Sequence, residues 1–310
     1  MKKYIRLAVC CSFLVIFVYS YFVACKNYND TGGEQTIIAG NATVLVDETL
    51  QSIVEEQIMV FESQYPAKIK QVNQSETAII NELISQKEAI AVLSRELTVQ
   101  ESIVFKNKKI APRVTQIATD AVVFVTSKSS RDTLVDVQDV LDLLQNKPSK
   151  IKSLTFENAN SSTQSYLNRL AGISKSESKL IFSASSFKDV LSFVSKNPNT
   201  IGVVGLNWIA EPTAEIKSLL TNIKVMAVRN VKSKPNNTAY YKPSQDILGA
   251  GLYPLVRNVY VLNFQGKKGL GMGFASFMAG EIGQRIVLKS GLLPFNMPSR
   301  IINTRKGILK

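Results

Sequence analysis

Histidine is missing from all 310 residues. Its absence removes Ser-His-Asp and Cys-His activation of a nucleophile, the commonest general base and the usual zinc sites in one step. Cysteine is nearly as scarce. Of the three present, Cys10 and Cys11 lie in an apolar N-terminal run and only Cys25 follows it. No disulfide and no thiolate metal site can be built within the chain beyond that run. No G-x-S-x-G sequence or paired-carboxylate signature stands in for the missing imidazole. These absences argue against hydrolytic catalysis, and neither a metal nor a cofactor is expected.

The first residues read as an export signal. Lys2, Lys3 and Arg6 precede an uncharged apolar run over 7–24, with Phe22-Val23-Ala24 just before Cys25. A basic segment, an apolar segment and a small residue at the cut are the parts of such a signal. A cysteine directly after the small residue suggests a bacterial lipoprotein box, with Cys25 lipidated and 25–35 acting as a polar tether. The competing reading is an uncleaved anchor, since the run approaches the ~20 residues that span a bilayer.

What remains is basic. The whole chain carries 37 Lys and Arg against 24 Asp and Glu, and without Lys2, Lys3 and Arg6 the excess is 34 against 24. A positive surface concentrates anions. The cations are scattered rather than clustered with exposed aromatics, so a small anion is expected as partner and nucleic acid is not.

From Thr36 onward, short β-branched runs alternate with helical periods, which predicts an α/β fold with largely parallel sheets and helices on both faces. Strands are expected at 43–46, 67–72, 89–93, 110–126, 151–156, 201–205, 223–228, 259–262 and 301–302. Helices are expected between them, one opening at Thr98 with Glu101 at the capping-box spacing. No internal repeat or low-complexity tract interrupts the pattern.

Three polar turns join a strand end to a helix start: Asp47-Glu48-Thr49, Gln74-Ser75-Glu76 and Asn160-Ser161-Ser162-Thr163. Helix N-termini expose N–H donors and partial positive charge, which suits an oxyanion. Ligands in such sheets sit at strand carboxyl ends. Arg95, at the end of its own strand, is a candidate guanidinium for that cavity. Taken singly, each turn is also an ordinary helix cap, and Arg95 also reads as a salt-bridge residue.

Several segments carry a family likeness in their order and spacing. They are the lipobox at Cys25, Val46-Asp47-Glu48-Thr49-Leu50, Asn160-Ser161-Ser162-Thr163 and Ile201-Gly202-Val203-Val204-Gly205. Gly251-Leu252-Tyr253-Pro254-Leu255, Phe274-Ala275-Ser276-Phe277 with Gly283-Gln284, and Gly291-Leu292-Leu293-Pro294 complete the set. Over nearly all of the chain after Cys25 they make it resemble the phosphate-binding lipoproteins of ABC phosphate transporters, in the periplasmic binding protein superfamily and nearest the branch found in Bacteroidetes.

The resemblance implies a two-lobed periplasmic binding protein fold with two hinge-crossing segments, near 117–121 and 255–258. Lobe 1 would take 36–118 and 257–310, and lobe 2 would take 119–256. It further implies a monomer that binds inorganic phosphate, docks on ABC permease subunits, and is held at the membrane by its lipid. Matching positions give Thr49, Leu50 (through its N–H), Ser75, Ser161, Ser162 and Thr163 as phosphate contacts. Two positions depart from the family pattern together. Arg95 stands where an aspartate is usual, and Glu157 stands where an arginine is usual, which suggests a charge exchange with Glu157 as the selectivity carboxylate. The alternatives are another oxyanion (molybdate, tungstate), a phosphorylated solute, or, in a different class, a tethered hydrolase or a structural envelope lipoprotein.

Overall fold

The computed structural model describes residues 36–85, 89–266 and 268–298. The signal over 1–24, the lipidation candidate Cys25, the tether and the strand expected at 301–302 all lie outside these residues. Among the described residues no helix is long and apolar enough to cross a membrane.

The chain begins with β1 (Gly40–Asp47), whose last residue caps a one-turn 3-10 helix, Glu48–Leu50, leading into α1 (Gln51–Gln64). Then come β2 (Ala67–Gln74), α2 (Glu76–Ser85), β3 (Ile90–Leu93), α3 (Val99–Asn107) and the long β4 (Arg113–Ser127). The middle runs β5 (Leu134–Asp136), α4 (Val137–Leu144), β6 (Ser153–Phe156), α5 (Ser162–Leu170), β7 (Ile181–Ser183), α6 (Phe187–Lys196) and β8 (Thr200–Gly205). Short pieces follow: α7 (Asn207–Ala210), α8 (Ala214–Leu220), β9 (Ile223–Val225), β10 (Ala227–Arg229) and α9 (Gln245–Gly249). The chain closes with β11 (Val256–Asn263), α10 (Leu270–Ala279), α11 (Glu281–Lys289) and β12 (Leu293–Pro294).

The apolar runs become strands because both faces of the sheet are covered. In β1, Val44 and Val46 face the large core with Ile90 and Val92, while Leu45 faces a second core with Ala91, Leu93, Ile79 and Leu83. A strand buried on both sides has no polar face to show, so it reads as a continuous apolar run. The capping box at Thr98 forms as its spacing predicts: Thr98 accepts from the Glu101 N–H while the Glu101 carboxylate accepts from the Thr98 N–H.

Among the described residues, β10 and β5 form a separate two-stranded sheet, and the other ten of the twelve strands form one sheet with main order β2-β1-β3-β11-β4-β8-β6-β7. Its flanks are parallel, as expected: β1 with β2 and β3, and β6 with β7 and β8. The centre is not. β11 runs antiparallel to both β3 and β4, and β4 runs antiparallel to β8. These two strands carry the chain between the halves in opposite directions, which an all-parallel reading misses. The first half of β4 pairs with β11, and its second half pairs with β8 and β9. The strand expected at 223–228 splits after Val225, with β9 joining β4 and β10 joining β5.

Glycine has a packing role in β8. A Cβ at Gly202 would lie 2.8–2.9 Å from methyls of Val125, Val190 and Val194, all fully buried. Gly202→Ala is therefore an overpacking change, expected to destabilise by about 1–3 kcal/mol in a urea melt. Gly172→Ala is a poor comparison, since its positive φ adds strain of its own.

Candidate functional site

Two of the three polar turns converge, and they meet over a buried guanidinium that belongs to β11. At the end of β1, the Asp47 carboxylate accepts from the Thr49 N–H (3.0 Å) and the Thr49 hydroxyl (2.9 Å) through Oδ1. Its Oδ2 accepts from Ser94 Oγ (3.1 Å), just past β3. From the other half, Ser161 caps α5, its Oγ accepting from the Gln164 N–H, and Thr163 Oγ1 lies 3.0 Å from Ser161 Oγ. Thr49 Oγ1 and Ser162 Oγ touch at 3.0 Å.

Arg257 ties these pieces together. It stands opposite Asp120 in the β11–β4 register. Its Nε and Nη2 donate to Asp120 Oδ2 (3.0 and 2.7 Å), Nη2 also donates to Thr49 Oγ1 (3.0 Å), and Nη1 donates to Ser162 Oγ (2.7 Å). Asp120 Oδ1 accepts from the Leu206 N–H. Donor counting fixes the hydroxyl directions: Thr49 gives its proton to Asp47, so Ser162 donates to Thr49. Asp47, Thr49, Asp120, Ser161, Ser162 and Thr163 are fully buried, and Arg257 is 3 % exposed. Gly205 makes room for the pair, because a Cβ there would sit 3.1 Å from Arg257 Nη2 and 3.3 Å from Asp120 Oδ2.

Ser162 and Thr163 open α5, so their N–H groups have no acceptor within the helix. The helix dipole adds positive character at the same end. N–H donors, hydroxyls and a guanidinium are the groups that recognise an oxyanion, and here the guanidinium is held by Asp120, Thr49 and Ser162.

Glu157, between β6 and α5, lies beside this cluster. It is 3 % exposed and its Oε1 is buried without a hydrogen-bond partner. Burial pushes its carboxyl up to about 8, against the pull of Arg257 and with the help of Asp47, Glu48 and Asp120. Burial and Asp47 also raise Glu48. Arg257 loses to desolvation but gains more from Asp120, Asp47 and Glu157, so it stays charged. A cavity of about 510 Å³ opens beside Glu157, walled by Glu48 and Gln51 from one half and by Lys188 and Trp208 from the other.

Two expected residues, Ser75 and Arg95, lie outside the cluster, and Leu50 is expected only through its backbone N–H. Ser75 is half-buried, and its Oγ accepts weakly from the Ala78 N–H, as a helix cap. Leu50 buries its side chain in the large core. Arg95 is not the cation of the cluster. Its Nε donates to Glu76 Oε1 (2.7 Å), and Nη1 and Nη2 grip the Glu101 carboxylate (2.7 and 2.9 Å). Glu76 Oε1 also accepts from Arg169 Nη1 (3.1 Å). Arg95 is thus held in the ion pairs that the salt-bridge alternative describes, with Glu76 and Glu101. The charge beside Glu157 comes from Arg257 instead. Arg257 and Asp120 left a signal in the sequence: each is a charge at an inward register position of an apolar strand, and their signs are opposite.

Asp120→Asn leaves a buried arginine without its counter-charge, so a loss of about 3–5 kcal/mol is expected in denaturant melts. The raised Glu157 carboxyl gives a second expectation. Between the ordinary 4.5 and about 8 the folded protein holds a proton that the unfolded chain has released. This residue's contribution to stability therefore falls as pH rises through that window and levels off above it. Melts at pH 5 and pH 8 should show a smaller decline in Glu157→Gln than in the unaltered protein.

Residues 31–281 match the model of the PBP superfamily domain. No curated protein is a significant match. Among solved structures, a putative phosphate ABC transporter substrate-binding protein with bound phosphate from Clostridium perfringens has 16% identity and a TM-score of 0.64, over 83% of this chain and 100% of that one. An ABC-type phosphate transport receptor from Vibrio cholerae has 16% identity and a TM-score of 0.62, over 82% and 100%. A possible phosphate binding protein from Planctomyces limnophilus has 17% identity and a TM-score of 0.56, over 83% and 93%. Identities this low speak to the fold. With the family model spanning most of its length, a mixed sheet crossed twice at its centre, and a polar cluster buried at that crossing, the chain belongs to the PBP superfamily.

Proposed function

We propose that this protein is a non-enzymatic, extracytoplasmic solute-binding lipoprotein. It captures inorganic phosphate between two lobes, 36–118 with 257–310 and 119–256, and hands it to an ABC permease. The observation that carries this reading is the buried meeting of Arg257, Thr49 and the Ser161–Thr163 turn at the start of α5. A tetrahedral oxyanion has many acceptor sites: the Ser162 and Thr163 N–H groups at the start of α5 have no acceptor within the helix, and the Arg257 and hydroxyl donors would turn from one another to the anion. The three phosphate-related proteins of the same fold favour that anion over molybdate or tungstate. The absence of histidine weighs against a tethered hydrolase.

In this assignment Arg257, Thr49, Ser161, Ser162 and Thr163 hold the anion, with the Leu50 N–H at the first turn. Ser75 and Arg95 stay outside the set. Cys25 carries the lipid that keeps the protein, as a monomer, at the membrane near its permease. Glu157 discriminates once pH rises past about 8 and its carboxyl ionises: the carboxylate then accepts from protonated phosphate but faces a bare acceptor on sulfate, which leaves like charges opposed.

Calorimetric titration of the full chain in detergent with phosphate, sulfate and molybdate tests the reading. Phosphate should bind and sulfate should bind about tenfold to hundredfold more weakly, matching a cost of ~1–3 kcal/mol for an unsatisfied buried group. Glu157→Gln should narrow that gap. Displacement of phosphate by equimolar sulfate would sink the selectivity role, and no heat with any of the three would sink the function.

A further inference from the structure

The cavity beside the cluster is separate from it. None of Arg257, Thr49 and the turn over 161–163 lines its volume of about 510 Å³. That volume lies in the ~300–1,000 Å³ range of sites for small organic molecules. The cavity opens at the carboxyl ends of β1, β2 and β6, through Glu48, Asn73 and Glu157. Strand carboxyl ends are where α/β sheets take their ligands. One wall is aromatic: Trp208 stacks on Phe187 with centroids 4.8 Å apart and planes 15° apart.

The lining leaves no cation over for an anion. Its one cation, Lys188, is bound to Glu215 at 2.6 Å, and both are largely exposed. Its most buried carboxyl, Glu157, is held up at about 8 and keeps its proton at neutral pH, and burial pushes Glu48 in the same direction. What the lining lacks is hydrogen-bond partners. Among the described residues, Glu48 Oε1, Glu157 Oε1 and Trp208 Nε1 are all buried without one. The carboxyl oxygens accept, the indole N–H donates, and the proton on Glu157 adds a second donor. Buried polar atoms left unpaired cost free energy that a ligand recovers by bonding them.

We propose that this cavity is a second binding site, for a small neutral polyhydroxylated molecule of monosaccharide size. Its hydroxyls bond Glu48, Glu157 and the Trp208 N–H, and its carbon–hydrogen face covers the Trp208–Phe187 stack. A hydroxyl both gives and takes a hydrogen bond, so such a ligand meets donors and acceptors alike. An ammonium would face the protonated Glu157, and an anion would find no unpaired cation. Glu48 and Glu157 come from opposite halves of the protein, so one ligand ties the two together. The inference goes beyond the phosphate reading and stands without it, because no residue assigned to hold phosphate lines the cavity.

Trp208 is the only tryptophan of the chain, so its fluorescence reports this cavity directly. The test is calorimetric and fluorescence titration of the full chain, in a non-glycosidic detergent at pH 6.5. The neutral probes are D-glucose, D-ribose and myo-inositol, and the charged ones are D-glucosamine and D-glucuronate. At least one neutral probe should bind with a Kd below about 1 mM, and at least about tenfold tighter than both charged sugars. The Trp208 emission should change along the same saturation curve. Trp208→Phe removes the N–H and keeps an aromatic face, so it should weaken that probe by at least about fivefold, with thermal melts confirming the fold. Silence with all three neutral probes overturns the inference and leaves a cavity that holds water only. Binding of either charged sugar within that tenfold margin overturns the neutral ligand class. Heat without a change in emission overturns the placement against Trp208. The unaltered protein's ranking of probes decides the matter whether or not the variant folds. Inorganic phosphate, titrated in parallel, bears on the phosphate function alone.

Discussion

Arg257 and Asp120 face each other across the two strands that join the halves of the molecule, and both are removed from water. Burying a charge pair carries a desolvation penalty that the pair's attraction alone does not reliably offset. Here the guanidinium also reaches Thr49 at the end of β1 and Ser162 at the start of α5, while the free Asp120 oxygen accepts from the Leu206 N–H. Every element around the cluster is thereby referenced to one planar, five-donor group. Gly205 completes the arrangement by withholding a side chain where the pair needs space. The sheet fixes the pair, and the pair in turn fixes the hydroxyls that face it.

Much of this was legible in the sequence, and the reasons differ between elements. β1, β3 and β4 were readable because strands covered on both faces become apolar runs. The hydroxyl turn at 161–163 was readable because a cap and an anion site need the same residue types at the same helix position. Arg95 misled because a lone arginine after a strand gives no hint of its partners; Glu76 and Glu101 come from the two helices beside it. Arg257 and Asp120 each stood out as a charge in an apolar strand, but their pairing was hidden. Their 137-residue separation in sequence is closed only by β11 pairing with β4, and local periodicity does not reveal which strands pair. The antiparallel centre of the sheet was missed on the same ground.

Charge in this protein is therefore sorted by depth. Its scattered lysines leave a basic surface, yet the interior around Arg257 holds Asp47, Asp120 and Glu157. Overall net charge describes what approaches the molecule, and the buried groups describe what it holds. Glu76 makes a similar point between the two halves. One carboxylate oxygen serves Arg95 from its own half and Arg169 from α5, so an ion pair bridges the halves away from the central cluster.

The strand order carries a consequence for how the chain acquires its structure. β11 lies between β3 and β4, although about 130 residues separate it from one of them and more from the other. A growing chain that has not yet reached residue 256 has both strands in hand but nothing to seat between them, and it lacks Arg257 as well. Non-local pairing of this kind is slow because the entropy of closing a long loop comes before any reward in contacts. The first half of the protein thus stays incomplete until nearly the whole sequence is available. A polypeptide built this way completes its central sheet, and with it the buried charge pair, late in synthesis.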